Sequence, residues 1–361
     1  MQANETSMTK LSIIVPVYNV EKYIRPCIES IFRQGIDDND FEVIIVNDGT
    51  KDNSMGMITD IISQHDNIII INQDNQGVSI ARNNGYKIAK GKYIQFMDSD
   101  DLLIDNSLPY LLNNALTSNA ELVIADFIKM TDDEITLFNI NTFHQKDGTI
   151  QEETGKQLLN HPLYFGYSCV WRTLYRKDFL DKNNIRFIPD IYFEDVLFTR
   201  QCFLNANSCL RVNWLLYIYR IGHQSIINSS FSKEKGTSYC IIIKETWELS
   251  QNKDLSSQLQ QKIRDDIFSY FSMFIYLLSS SNTIPYSEKM GLINDLKELV
   301  PDLSFNNGVK QKVVNFLYRR VPSIYIKLRI LYAKNIQDLL WEIRDTIRNI
   351  KTIKKYDKYL P

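Results

Sequence analysis

Asp98-Ser99-Asp100-Asp101 places three carboxylates within four residues, directly after the apolar segment Lys92–Met97. Like charges so close repel unless a cation or hydrogen-bond donors offset them. A hard divalent ion such as Mg²⁺ or Mn²⁺ does this, taking one or two carboxylates together with phosphate oxygens. The same four residues also suit an acidic turn at the start of a helix. Asp48 stands in Asn-Asp-Gly, where Gly49 permits a tight turn. Its carboxylate could accept from the imide N–H of a base, or close an Asx turn ahead of a helix. Gly77 opens the stretch Asn75–Gly85, and a helix N-terminus there would favour an anion. Arg82 lies one turn further on, placed to face the Asp cluster or to pair with an acid. Glu194-Asp195 is a further acidic pair, suited to proton transfer or to a helix N-terminus.

The elements that must position these residues follow from the apolar pattern. Short β-branched runs at Leu11–Val17, Phe41–Val46, Asn67–Ile71 and Lys92–Met97 read as buried strands. Helical spacing fills the intervals 21–34, 52–64 and 77–89, with Asp52 placed to cap the second helix. A fourth helix over 106–118 precedes a strand at 121–125. This βα alternation predicts a mostly parallel sheet with helices on both faces. Ligands of such sheets bind beyond the carboxyl ends of the strands. The polar clusters fall at those ends: Tyr18-Asn19, Asn47-Asp48-Gly49, 72–77 and 98–101. Residues 131–160 read as a surface insertion or hairpin, 161–231 as a mixed, aromatic-rich segment, and the chain from Ser232 as helical. Pro285, Pro301 and Pro322 divide the helical part.

The 361 residues carry 41 Lys and Arg against 43 Asp and Glu, with 44% hydrophobic residues. That excludes a disordered chain, a collagen and a small disulfide scaffold. Five cysteines, an odd number without a CxxC pair, fit a reduced cytosolic protein. No apolar run reaches the ~18 residues of a membrane span. Phe268–Leu278 reads instead as a buried helix.

Four segments in register, VPVYN, VNDGTKDNS, NQGVSIARNNG and FMDSDD, resemble the nucleotide-sugar-binding half of family 2 glycosyltransferases of the GT-A fold. Tyr167–Arg176, Phe193-Glu-Asp-Val-Leu-Phe and Tyr217-Ile-Tyr-Arg220 with His223 and Ser225 resemble later segments of bacterial, polysaccharide-building members. Arg172-Thr173 departs from the usual Asn-Lys. The resemblance implies a GT-A, Rossmann-like α/β domain over 10–231 after a disordered leader at 1–9. Residues 10–128 would form its nucleotide-sugar half and 129–231 its acceptor half, with a helical region over 232–361. It further implies that Pro16, Tyr18, Asn19 and Asp48 hold the nucleobase, Asp48 reading uracil. Asp98 would touch the ribose or metal shell, and Asp100, with His223, would ligate Mn²⁺ or Mg²⁺. Asp195 would be the catalytic base, Glu194 an orienting group, and Arg220 and Ser225 neighbours of the diphosphate. The implied activity is inverting transfer of a sugar from a UDP-type donor to a saccharide or lipid-linked acceptor. The other reading is a catalytically silent nucleotide-sugar-binding or scaffold protein of a polysaccharide assembly complex.

Residues 310–361 carry thirteen Lys and Arg against four acids, a balance of +9 that leaves −11 on the rest. Apolar and aromatic residues interleave with the cations. This pattern suits an anionic membrane surface or packing on the acidic domain. The expectation is a cytoplasmic protein, peripheral at the inner face of the cell membrane. No nucleic-acid-binding motif accompanies the charge, and a homo-oligomer is left open.

Overall fold

In a computed structural model of the chain, the described residues are 9–138, 145, 147–160, 168–222, 230–305, 308–320 and 322–332. They divide into two units, one within 9–190 and 194–222, the other within 191–193 and 230–332.

The first unit is built on a nine-stranded sheet. Its parallel part comprises β1 (Leu11–Val17), β2 (Phe41–Asp48), β3 (Ile68–Gln73) and β4 (Tyr93–Phe96), in the order β3-β2-β1-β4. Every residue of β1 is buried, as a strand covered on both faces requires, and its one polar side chain, Ser12, donates to Glu42 Oε1 at 2.6 Å. Pro16 has no N–H to give. It lies beyond Ile14↔Phe96, the last β1–β4 pair, so no ladder bond is missed on that side. Helices α1 (Ile24–Phe32), α2 (Thr59–Gln64) and α3 (Val78–Ile88) follow β1, β2 and β3. At Gly85 a Cβ would stand 2.6 Å from the Ile14 side chain, so α3 approaches β1 as closely as it does only because that position is bare.

Past β4 the sheet becomes mixed. The strands are β5 (Leu102–Leu103), β6 (Leu122–Met130), β7 (Ile150–Glu153), β8 (Thr173–Arg176) and β9 (Cys209–Arg220). β8 runs antiparallel between β4 and β6, β9 runs parallel to β6, and β5 and β7 both pair antiparallel with β9. β7 belongs to the stretch expected as a surface insertion, yet it adds to the main sheet. Four mostly polar residues, Ile-Gln-Glu-Glu, suit a short edge strand. Helix α4 (Leu108–Ser118) leads into β6, and α5 (Asp132–Leu137), closed by a Thr131–Glu134 capping box, follows it. Helices α6 (Gly155–Asn160), α7 (Lys177–Lys182) and α8 (Glu194–Asn205) complete the unit.

The second unit is helical: α9 (Lys233–Ser250), α10 (Ser257–Ser280), α11 (Tyr286–Leu299), α12 (Gly308–Arg320) and α13 (Pro322–Tyr332). Phe271, Phe274, Ile275 and Leu278 of α10 are fully buried, so the segment expected as a buried helix is one. Pro285 precedes α11, Pro301 follows it, and Pro322 opens α13, positions where a missing N–H costs no helix bond. Among the described residues no helix is long and apolar enough to cross a membrane.

Candidate active site

The carboxyl ends of β1 and β2 are clipped together. Asn19, in the left-handed region at φ 54°, donates its N–H to Thr50 Oγ1 at 2.8 Å and accepts from Lys51 N at 3.1 Å. Val20 N donates to Ser54 Oγ at 3.0 Å, and Glu21 N to Asp52 Oδ2 at 2.9 Å. Asp52 was expected to cap a helix, but α2 begins only at Thr59. Its carboxylate instead gathers Thr50 Oγ1, Ser54 N and Oγ, and Glu21 N. Burial opposes its ionisation, yet these donors win and lower its pKa to about 2. Tyr18 remains exposed at the rim.

Asp48 is 3% exposed. Oδ1 accepts from Gln73 Nε2 and Gln76 N, both at 2.8 Å, and Oδ2 from Gly77 N at 2.9 Å. Three of about four acceptor positions on a carboxylate are thereby filled. Asp48 fastens the loop ahead of α3 and keeps little capacity for a further donor. Gly77 has φ 84° and ψ 161°, a conformation essentially reserved for glycine.

Arg82 was expected to face the Asp cluster or to pair with an acid, and it does both. It is 3% exposed, with its fork spent inside the protein. Nη2 donates to Asp98 Oδ1 at 2.6 Å and Nη1 to Glu194 Oε1. The guanidinium lies 5.1 Å from the centre of the Phe187 ring, and Phe187 stacks on Phe198 at 4.0 Å. Asn83 holds Phe187 by both backbone groups, donating to its carbonyl at 2.8 Å and accepting from its N–H at 3.1 Å. One buried cation thus joins the start of α3, the end of β4 and the start of α8. Burial opposes its charge, but Asp98 and Glu194 outweigh that and raise its pKa further.

Asp195 follows Glu194 in the first turn of α8. Its pKa is raised well above the ordinary value, by burial first and then by the neighbouring Glu194 charge. Arg82 pulls the other way. Phe193, just before it, has φ 61°, an unfavourable conformation for a bulky residue.

Of the Asp98–Asp101 cluster, Asp98 keeps 28% of its side chain exposed while bound to Arg82. Asp101 turns inward. Its Oδ1 accepts from Arg220 N at 2.7 Å, and its pKa is raised by burial and by Asp100 and Asp98. Arg220 Nε holds the Asp100 carbonyl at 2.7 Å, and Nη1 donates to Asp132 Oδ1. Arg220 was expected beside the diphosphate. It is 6% exposed and braces the acidic turn from within. Cys27 Sγ, with burial as the main cause of its raised pKa, lies 3.6 Å from the Asp98 carbonyl. His223 and Ser225 lie outside the described residues.

Among the described residues, no three His, Cys, Asp or Glu side chains converge to hold a metal ion by themselves. Asp98 and Asp100 offer carboxylate oxygens without thiolate or imidazole. That donor set fits Mg²⁺ or Mn²⁺ when phosphate oxygens and waters complete the shell.

Several of these contacts were not foreseen from the sequence. Asn83 and Phe187 form the wall behind Arg82. Tyr217 Oη accepts from Asp98 N at 3.1 Å, and its ring stacks on Trp171 at 4.3 Å. Arg172, the departure noted above, donates from Nε and Nη2 to the Ala125 carbonyl at 2.9 and 2.7 Å. That carbonyl sits at the irregularity where β6 shifts register against β9.

The chain matches the family model "Glycosyl transferase family 2" over residues 12–182. It is 36% identical over 217 residues to glycosyltransferase EpsJ of Bacillus subtilis (strain 168), covering 60% of this chain and 62% of EpsJ, so it spans less than two thirds of that relative. It is 30% identical over 237 residues to glycosyltransferase YibD of Escherichia coli (strain K12), covering 64% of this chain and 67% of YibD. The crystal structure of S. aureus TarS 1-349 in complex with UDP-GlcNAc resembles it with a TM-score of 0.65 at 22% identity, over 90% of this chain and 89% of that one. At that identity the likeness speaks for the fold, a GT-A sheet with flanking helices and a helical C-terminal region. The chain belongs to glycosyl transferase family 2.

Proposed function

We propose that the chain transfers a sugar from a nucleoside-diphosphate donor to an acceptor hydroxyl with inversion, Asp195 serving as the base. The observation that carries this reading is the unequal treatment of two adjacent acids. Glu194 is bound to buried Arg82, while Asp195 has a raised pKa beside it. A carboxylate so raised is better matched to taking a proton near neutral pH than an ordinary one. Attack by the acceptor oxygen on the face opposite the leaving group breaks the anomeric C–O bond to the diphosphate and forms a glycosidic bond in a single displacement. The proton goes to Asp195 and the nucleoside diphosphate leaves.

Asp98 and Asp100 would hold a divalent cation, which when bound stabilises charge on the departing diphosphate. Tyr18, Asn19 and the loop fastened by Asp48 would form the rim against the base. A uridine donor, with UDP-GlcNAc the first to try, is supported by the fold likeness to TarS, whose structure was solved with that molecule. A lipid-linked or growing surface polysaccharide is the acceptor class we favour.

The test is a screen of nucleotide sugars with Mn²⁺, reading thermal shift and nucleoside-diphosphate release, repeated on Asp195→Asn. The expected variant binds donor normally and loses turnover. Near wild-type turnover in Asp195→Asn would overturn the assignment, and the absence of a thermal shift with every donor would favour a silent scaffold.

A further inference from the structure

Two consecutive helices of the second unit bury one side and expose a side that is at once apolar and cationic. On α12, Tyr318 is buried, its ring 4.9 Å from Phe271. Lys312, Val313, Phe316, Arg319 and Arg320 are exposed, Phe316 to 61%. At 3.6 residues per turn these five fall within an arc of about 120°, and Tyr318 lies on the opposite side. On α13, Tyr325 and Ile326 are buried, while Ile324, Lys327 and Leu328 are exposed. Residues 308–332 contain six Lys and Arg and no Asp or Glu.

An exposed aromatic and three aliphatics among cations are unusual for a face that meets only water. An acidic protein domain would match the charge but would pair it with specific acceptors. A lipid surface instead takes both parts at once, the apolar side chains entering the headgroup boundary and the cations facing anionic headgroups. Since no described helix is long and apolar enough to cross a membrane, the contact would be surface-lying. We propose that the outer faces of α12 and α13 form a peripheral docking surface for an anionic lipid bilayer. This inference stands apart from the assignment of Asp195.

The test uses the full chain in flotation with phosphatidylcholine vesicles, with and without about 30% phosphatidylglycerol. The protein should float with the anionic vesicles, and binding should fall at least tenfold in about 0.5 M salt, where exposed charges are screened. Because residues 334–358 also carry cations, point variants decide. Lys312→Glu with Arg319→Glu and Arg320→Glu should weaken binding by about tenfold or more. Phe316→Ser with Ile324→Ser should also weaken it, with an unchanged melting temperature. No flotation, or flotation indifferent to both variants, would overturn the proposal. So would a wild-type dimer that Phe316→Ser dissociates, since a second copy would then cover this face.

Discussion

Arg82→Met keeps the length of the stem and removes the charged fork. In the wild-type protein that fork bridges Asp98, 28% exposed, and Glu194, 11% exposed. Without it, a buried carboxylate can escape only by taking a proton. At pH 7, from an ordinary glutamate value of about 4.3, that costs roughly 3.7 kcal/mol at 1.36 kcal/mol per unit. Asp98 rehydrates more readily and adds less, and release of the arginine's own burial cost offsets part of the sum. The expected loss is about 3 kcal/mol at pH 7, at the lower edge of the range for breaking a buried pair. At pH 5 the proton costs only about 1 kcal/mol, so most of the loss disappears. For a unit of about 200 residues this means a melting-temperature drop of about 6–12 °C at pH 7 and about 2–4 °C at pH 5. Scanning calorimetry at the two pH values reads it directly. The Glu194 charge raises the Asp195 pKa by more than Arg82 lowers it, so a variant in which Arg82 is gone and Glu194 has taken a proton should have the acid limb of its rate profile moved to lower pH. Arg82→Lys should rescue little, since one ammonium cannot fork to two carboxylates. A loss below about 1 kcal/mol, a loss that does not change with pH, or full rescue by lysine would refute this reasoning.

Asp195→Asn should lower kcat by about 10²–10⁴-fold in a diphosphate-release assay while calorimetric donor affinity holds. Because ionising a carboxyl with a raised folded pKa opposes folding as pH rises, the same variant should melt no lower than wild type at pH 8. Gly77→Ala forces a side chain into φ 84° and should cost about 1–3 kcal/mol, read by urea unfolding. Asp52, whose folded pKa is about 2, contributes stability that is present above about pH 4 and lost as pH falls through 2. Asp52→Asn should therefore cost about 1 kcal/mol at pH 7, after allowance for its partial exposure, and almost nothing near pH 2.

The parallel half of the fold was legible because β1 and β2 are nearly continuous apolar runs that only strands covered on both faces use. β7 was not legible, since Ile150–Glu153 has no apolar alternation and is recruited by the edge of β9. The strand ends were legible as a polar ring, but not the partners inside it. Arg220 read as a neighbour of the diphosphate and Arg82 as facing the Asp cluster or pairing with an acid, and both reach internal acids or carbonyls more than 80 residues away in sequence. Arg82's second acid, Asp98, lies 16 residues further along the chain. Spacing along one chain cannot reveal which of several acids a buried arginine reaches.

That consumption has a consequence for the acidic cluster. Three carboxylates in four residues would be strongly destabilising if all faced one cavity without counterions. The fold disperses them instead. Asp98 shares Arg82, Asp101 turns inward onto the Arg220 amide with a raised pKa, and Arg220 pins the Asp100 carbonyl between them. The turn is therefore held in shape by protein groups, and the divalent cation proposed above would meet a site already formed. Arg82 bears on both sides of the proposed reaction. It pairs with Asp98, proposed for the donor side, and with Glu194 next to Asp195, whose proton affinity burial and the Glu194 charge raise and Arg82 lowers. A single buried guanidinium thus bears on the proposed donor side and the proposed base together, which is why its removal should move stability and the pH profile at once.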